Sequence, residues 1–234
     1  MEVLAIIPAR GGSKSIPRKN LADIGGKPLI AHSIAHAATA RSVNRTIVST
    51  EDAEIAEIAR AYGAEVPFLR PIELAGDTVL DHPVFEHALK ALDATEGYRP
   101  DIVVHLRPTA PLRRPGWIDD AVDLLASHPD ADSVRSVSAP AAHPYRIFRI
   151  NDEGYLEPLM KHEHPQPFLL RRQDLPPVFH YNAVLDVTRA TTVLDQGSMT
   201  GRHMLPLVLD ADDVFDIDSP RDLEIARMMY ERFR

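Results

Sequence analysis

Two stretches at opposite ends of the chain carry side chains suited to a phosphorylated, metal-bound ligand. DIDSPRDL spans residues 216–223, and its Asp216 and Asp218 stand two apart. At the end of an extended strand this spacing points both carboxylates to one side, where they can share a cation. Mg2+ bound with phosphates takes only one or two protein carboxylates, so the pair suffices. Asp218 or Ser219 could instead cap the following helix, with Pro220 at its first position and Asp222 near its positive end. The two uses are compatible. We assign the metal to Asp216 and Asp218, and the cap to Ser219.

The other stretch, PARGGSKSIPRKN at residues 8–20, follows the apolar run VLAIIPA. Gly11 and Gly12 let backbone N–H groups approach phosphate oxygens, Ser13 and Ser15 add hydroxyl donors, and Arg10, Lys14, Arg18 and Lys19 supply positive charge. In this segment these cations and Lys27 face only Glu2 and Asp23. It is not a Walker A loop, because the Gly-Lys pair is followed by Pro28, nor is it G-x-G-x-x-G. A solvated basic loop would have the same composition; its place directly after the first strand favours a ligand. A third stretch, LRPTAPLR at residues 106–113, follows another apolar strand and presents Arg107, Thr109 and Arg113 on a turn stiffened by two prolines. A rigid connection with solvated arginines explains those prolines equally well.

These residues need a scaffold, and the hydrophobic periodicity supplies one. Strands are expected at Val3–Ala9, Arg45–Ser49, Val66–Leu69, Asp101–Leu106 and Asp132–Ser138, alternating with helices in residues 28–40, 51–63, 82–97 and 115–128. The second helix has Ile55, Ile58, Ala59 and Tyr62 on one face, with Gly63 as its C-cap, and Pro115 fits the first turn of the fourth. Such alternation implies βαβ crossovers and a mostly parallel sheet. The pattern breaks at residues 140–178, where HPYRIFRINDEGYLEPL reads as a hairpin turning at Asn151–Gly154 and is followed by a stretch rich in Pro, His and Arg. It resumes with VFHYNAVLDV, HMLPLVLD and a closing helix from Pro220. In doubly wound sheets ligands bind beyond the C-terminal strand ends. The loop after the first strand lies there.

The 234 residues suit one large α/β domain, and 44% hydrophobic content provides its core. With no cysteine, disulfides, Cys-metal sites and Cys nucleophiles are excluded. No run approaches the ~18 apolar residues of a membrane span, and no signal segment is evident, so a cytoplasmic location is expected. A net charge of -8 argues against nucleic acid as partner.

PARGGSKSIPRKN, VSTED, LRPIELAGDT, LRPTAPLR, HYNAVL and DIDSPRDL occur in this order across nearly the whole chain. Together they resemble the acylneuraminate cytidylyltransferase family, the CMP-sialic acid synthetases and their bacterial relatives, with Ser15 where glycine is usual. The resemblance implies one Rossmann-like nucleotidyltransferase domain over residues 1–234, with an inserted element at 140–178 that exchanges between the subunits of a homodimer. It implies Mg2+-dependent transfer of CMP from CTP to the anomeric hydroxyl of a nonulosonic, sialic-acid-like sugar acid, releasing pyrophosphate. By position, Arg10, Gly11, Gly12, Ser13, Lys19 and Asn20 would meet the nucleotide's phosphates and ribose, and Arg70 through Thr78 the cytosine. Asp216 and Asp218 would hold Mg2+, and Arg10, Lys19 and Asp218 would carry catalysis. The base could be Asp216, Asp218 or water on the metal. Arg107, Arg146, Arg172 and Asn182 would serve the sugar, the guanidinium forks of Arg146 and Arg172 suiting its carboxylate. Arg172 would come from the partner subunit.

The departures concern the sugar. The family's usual LQPTSPLR, whose Gln commonly touches the sugar's tail, has Arg107 here; NGAIY becomes NAVLD, with Ala183 for Gly and Asp186 for Tyr. GSMTGRHM stands where sialic-acid enzymes often place aromatic residues. Legionaminic, pseudaminic or another nonulosonic acid is therefore as plausible as sialic acid. The alternatives are an enzyme for 3-deoxy-manno-octulosonate or another nucleotide, and a non-catalytic nucleotide-sugar-binding module. The intact set Arg10, Lys19, Asp216 and Asp218 favours an enzyme. His32 and His36, four apart on a helix without a third ligand, read as packing residues, as does Trp117; His162, His164 and His180 receive no role.

Overall fold

The computed structural model describes residues 1–232. Its strands are β1 (Val3–Pro8), β2 (Asp23–Ile24), β3 (Lys27–Pro28), β4 (Arg45–Ser49), β5 (Ile102–His105), β6 (Ser133–Ser138), β7 (Phe148–Ile150), β8 (Leu156–Pro158), β9 (His180–Arg189) and β10 (Met204–Val208). The helices are α1 (Leu29–Thr39), α2 (Ala53–Ala61), α3 (Asp81–Glu96), α4 (Trp117–Ala126), α5 (Ala190–Leu194) and α6 (Pro220–Arg232). Six strands form one sheet in the order β10-β6-β9-β5-β1-β4. Its β9 runs against both neighbours, β5 and β6, while the other pairings are parallel.

The period of two along β1 divides the core. Val3, Ala5 and Ile7 pack with residues of α1, α2 and α4, such as Ile34, Ile55 and Val122. Leu4 and Ile6 face the opposite layer, with Phe85 and Leu89 of α3 and Val193 of α5. These five of the six β1 residues are fully buried. A smaller cluster joins Ile16 and Ile24, around the opening loop, to Ile217 and to Leu223 of α6. The two ends of the chain that carry the candidate chemistry are thus packed together.

Several expectations need correction. Val66–Leu69 forms no strand; nearby there is only an isolated bridge between Ile47 and Glu65. Pro115 precedes α4 rather than opening it, because Gly116 is the N-cap with φ of 90°. Asp216 and Asp218 lie in an unpaired segment between a 3-10 turn and α6, not on a sheet strand. The hairpin is as expected: β7 pairs antiparallel with β8, and Gly154 N–H donates to Asn151 O at 2.9 Å.

Candidate active site

Beyond the C-terminal ends of β1 and β5 lies a cleft of about 460 Å3. The opening loop forms one wall through Arg10, Ser13, Lys19 and Asn20; Arg107, Thr109 and Asp218 also line the cleft. Backbone bonds fix the frame: Ala9 N–H donates to Ser49 O at 3.0 Å, and Ile217 N–H to Thr109 O at 2.9 Å. Asn20 is buried and gives its amide to Arg10 O at 2.9 Å, so it shapes the loop. Lys19 donates to Ile217 O at 2.9 Å and lies 3.6 Å from Asp218 Oδ1, joining loop and carboxylates directly.

The loop cations have carboxylate partners drawn from distant segments. Asp77 takes Arg10 at 2.5 Å and also pairs with Lys14. Arg18, in the left-handed region at φ of 54°, pairs with Asp52 and Glu54. Buried Arg70 donates to Glu51 Oε2 at 2.8 Å, while Glu51 Oε1 accepts the Gly11 N–H at 2.7 Å. The local charge excess read from the sequence is therefore balanced in the fold. A Cβ at Gly11 would lie 2.5 Å from an Asp52 oxygen, so this close approach requires glycine. Glu51 and Asp77 stand inside two of the quoted motifs, yet their partners could not be read from spacing. Gly12 and Thr78 are exposed and, like Gly11, fall outside the cleft lining; Asp77 and Val79 on either side of Thr78 do line it.

Asp216 is the better-enclosed member of the carboxylate pair, and its Oδ1 is buried without a partner. Burial raises its pKa, a hydrogen bond from Thr109 opposes the rise, and the charge of Asp218 adds to it. A divalent cation would relieve both the orphaned oxygen and the repulsion, so these residues fit one. Asp222 accepts from Ser219 N–H at 2.7 Å, and Ser219 Oγ accepts from Asp222 N–H at 3.3 Å, a reciprocal cap on α6. Ser219 caps, as expected, and Asp218 points its side chain to solvent, 80% exposed.

Arg113 does not face the ligand side. It is 4% exposed and donates to Val184 O, Ser33 Oγ and Arg107 O at 2.6, 3.1 and 2.7 Å, pinning the Pro-rich turn to β9. Burial and then the neighbouring Arg107 lower its pKa. Arg107 does line the cleft. Its guanidinium reaches Asp186 at 2.7 Å, Asp81 at 2.8 Å and Ala183 O at 3.3 Å. Burial opposes its charge, but Asp186 leads the neighbours that raise its pKa overall.

Asn182 sits in the irregular pairing of β6 with β9, its Oδ1 accepting from Ser136 Oγ at 2.6 Å and Val184 N–H at 3.2 Å. It is buried and outside the cleft lining. The following Ala183 holds φ of 57°, explaining the glycine usual there. Arg146 and Arg172 are brought together, but elsewhere: both line a cavity of about 640 Å3 walled by residues between Ala139 and Phe179, with no lining residue shared with the cleft.

Residues 4–200 match the family model described as Cytidylyltransferase. The chain belongs to the cytidylyltransferase family. It is 34% identical over 239 residues to the CMP-N,N'-diacetyllegionaminic acid synthase of Legionella pneumophila, covering 99% of this chain and 97% of that one. It is 32% identical over 234 residues to the pseudaminic acid cytidylyltransferase of Campylobacter jejuni, with the same coverages of 99% and 97%. A CMP:2-keto-3-deoxy-manno-octonic acid synthetase complexed with CTP superposes with a TM-score of 0.73 over the whole of both chains at 18% identity, a likeness of fold. This cytidylyltransferase has, among its described residues, no helix long and apolar enough to cross a membrane. His32 packs against Tyr230 with ring centroids 5.1 Å apart and bonds Ile24 O, as a packing residue would.

Proposed function

We propose that this cytidylyltransferase transfers CMP from CTP to the anomeric hydroxyl of a nonulosonic sugar acid. The observation that carries the reading is the junction of Lys19 with Asp218, 3.6 Å apart in a cleft also lined by Arg10 and Ser13. In it, donors for a triphosphate stand against carboxylates suited to its counter-ion. The similarity to nonulosonic acid cytidylyltransferases over nearly full length supports the sugar class.

The C2 hydroxyl oxygen forms a bond to the α-phosphorus, and the bond from that phosphorus to the bridging oxygen of pyrophosphate breaks in line. Such chemistry rests on positioning and on neutralising charge. Arg10 and Lys19 stabilise charge on the transferred and leaving phosphates, trading Asp77 and Ile217 O for phosphate oxygens. Asn20 and Glu51 keep the loop in place through Arg10 O and the Gly11 N–H. Asp216 and Asp218 would hold Mg2+, which when bound polarises the α-phosphate and favours ionisation of the hydroxyl. The hydroxyl proton passes to this carboxylate pair or to solvent.

Arg146 and Arg172 would bind the sugar carboxylate as forks. Their cavity is separate from the cleft within one chain, which favours a homodimer in which the element of residues 140–178 completes the partner's site. Exposed Ile150, Leu156 and Leu159 in that element supply an apolar surface for such a contact. Incubation with CTP, Mg2+ and N,N'-diacetyllegionaminate, followed by phosphorus NMR, tests the reading. One CMP phosphodiester and stoichiometric pyrophosphate support it; hydrolysis of CTP without a sugar adduct would refute it.

A further inference from the structure

The two sequence departures on the sugar side, Arg107 for Gln and Asp186 for Tyr, lie 79 residues apart in sequence and 2.7 Å apart in space. Asp186 is completely buried. It also takes Arg135 at 2.9 Å and the Tyr181 hydroxyl at 2.6 Å. Arg135 lies 4.9 Å from the Tyr181 ring centroid and Arg107 5.9 Å, so both cations stack on the ring. Two arginines are thus balanced by Asp186 and by Asp81, the latter at the cleft edge with a side chain 45% exposed. His105, 1% exposed and lining the same cleft, leaves both ring nitrogens without hydrogen-bond partners.

We propose that Asp186 is a positioning residue that holds Arg107 as a specificity-determining donor for a neutral oxygen on the sugar acid, an acyl carbonyl or a hydroxyl. Charge balance argues against a phosphate or carboxylate here, because the Arg107 cation already answers two carboxylates. Three of its N–H bonds are engaged, to Asp186, Ala183 and Asp81. A guanidinium carries five donors and no acceptor, whereas glutamine offers both kinds. With Arg107 in place of Gln, the N–H groups left over can pair only with an acceptor on the ligand, never with a donor. Without Asp186, Arg107 and Arg135 would have only the half-exposed Asp81 between them, leaving enclosed positive charge uncompensated, which is costly. Asp186 removes that cost, so the two changes act as one.

This inference rests on the proposed reaction, and the experiment separates the two. Steady-state kinetics would be run with saturating CTP on N,N'-diacetyllegionaminate and N-acetylneuraminate, which differ in the outer chain. The variants are Arg107→Gln, Asp186→Asn and the pair Arg107→Gln with Asp186→Tyr. Arg107→Gln is expected to change the ratio of kcat/KM between the sugars by about tenfold or more, and the KM for CTP by less than about twofold. Asp186→Asn should move the ratio in the same direction although it lies behind Arg107. The paired variant should turn over at least one sugar faster than Asp186→Asn does. Equal losses on both sugars, or a parallel rise in the KM for CTP, would overturn the assignment. If the Asp186 variants fail to fold by circular dichroism, Arg107→Lys decides, since it keeps the charge and loses the fork; an unchanged ratio there refutes the proposal. Wild-type protein inactive with CTP on every nonulosonic acid of a wider panel would refute the underlying reaction, and this inference with it.

Discussion

Lys19 and Asp218, 199 positions apart in the chain, meet at 3.6 Å, and Lys19 also donates to Ile217 O at 2.9 Å. This contact ties the phosphate-loop candidate to the carboxylate pair. The lysine is largely enclosed, with a side chain 15% exposed, whereas the aspartate extends into solvent. An enclosed cation beside an exposed carboxylate suits a site that receives a metal–triphosphate complex.

Asp218→Asn is accordingly expected to lower kcat by about 100-fold or more, since a metal ligand in the reaction is lost. Stability should barely respond, with Tm moving by less than about 2 °C, because an exposed ion pair contributes little. Full activity in this variant would remove Asp218 from the metal site.

Arg172→Ala should raise the KM for the sugar acid far more than that for CTP. Mixing it with Lys19→Ala should restore part of the activity if each site draws Arg172 from the partner. Equal rises in both KM values, or no recovery in the mixture, would place Arg172 outside a shared sugar site.

A glycine is expected to suit position 183 better than the alanine. The left-handed φ of 57° strains any residue with a Cβ. Ala183→Gly should therefore stabilise by up to about 1 kcal/mol, less the greater freedom glycine gives the unfolded chain. Thermal melts would show a rise of a few degrees; a fall would mean that the alanine methyl is a packing contact worth more than the strain.

Histidine burial gives a pH dependence of defined sign. Burial lowers the His36 pKa from 6.5 to about 3, and Arg113 and His32 add to the shift. A base with a depressed folded pKa takes up protons preferentially when unfolded, so its contribution is present above pH 6.5 and declines as pH falls below it. At pH 5 the loss is on the order of 2 kcal/mol. His36→Leu should flatten the fall in Tm between pH 7 and pH 5; an unaltered slope would contradict the assignment.

The fold was legible where local periodicity was strong. Alternation of apolar runs with amphipathic segments located β1, β4 and five of the helices, missing the short α5, and Asn151–Gly154 announced its hairpin turn. Val66–Leu69 had strand composition but touches the edge strand β4 only at its two ends, through Glu65 with Thr46 and Val48 and through Arg70 N–H with Thr50 O, so no continuous ladder forms; only the tertiary arrangement decides this. Motif composition likewise revealed Arg107 and Arg113 without distinguishing them. One turns toward the cleft and the other inward, because Ser33, Val184 and Arg107 supply acceptors for a buried guanidinium. Glu51, Asp77 and the contact of Arg107 with Asp186 depend on residues brought together across the sheet. No spacing rule reports them.

The most direct measurement is pyrophosphate release from purified protein with Mg2+, each of the four nucleoside triphosphates, and a panel of nonulosonic acids plus 3-deoxy-manno-octulosonate. The proposed function predicts release with CTP and a nonulosonic acid, and none with either alone. Release that favours another triphosphate, or none across the panel while CTP still binds, would contradict it.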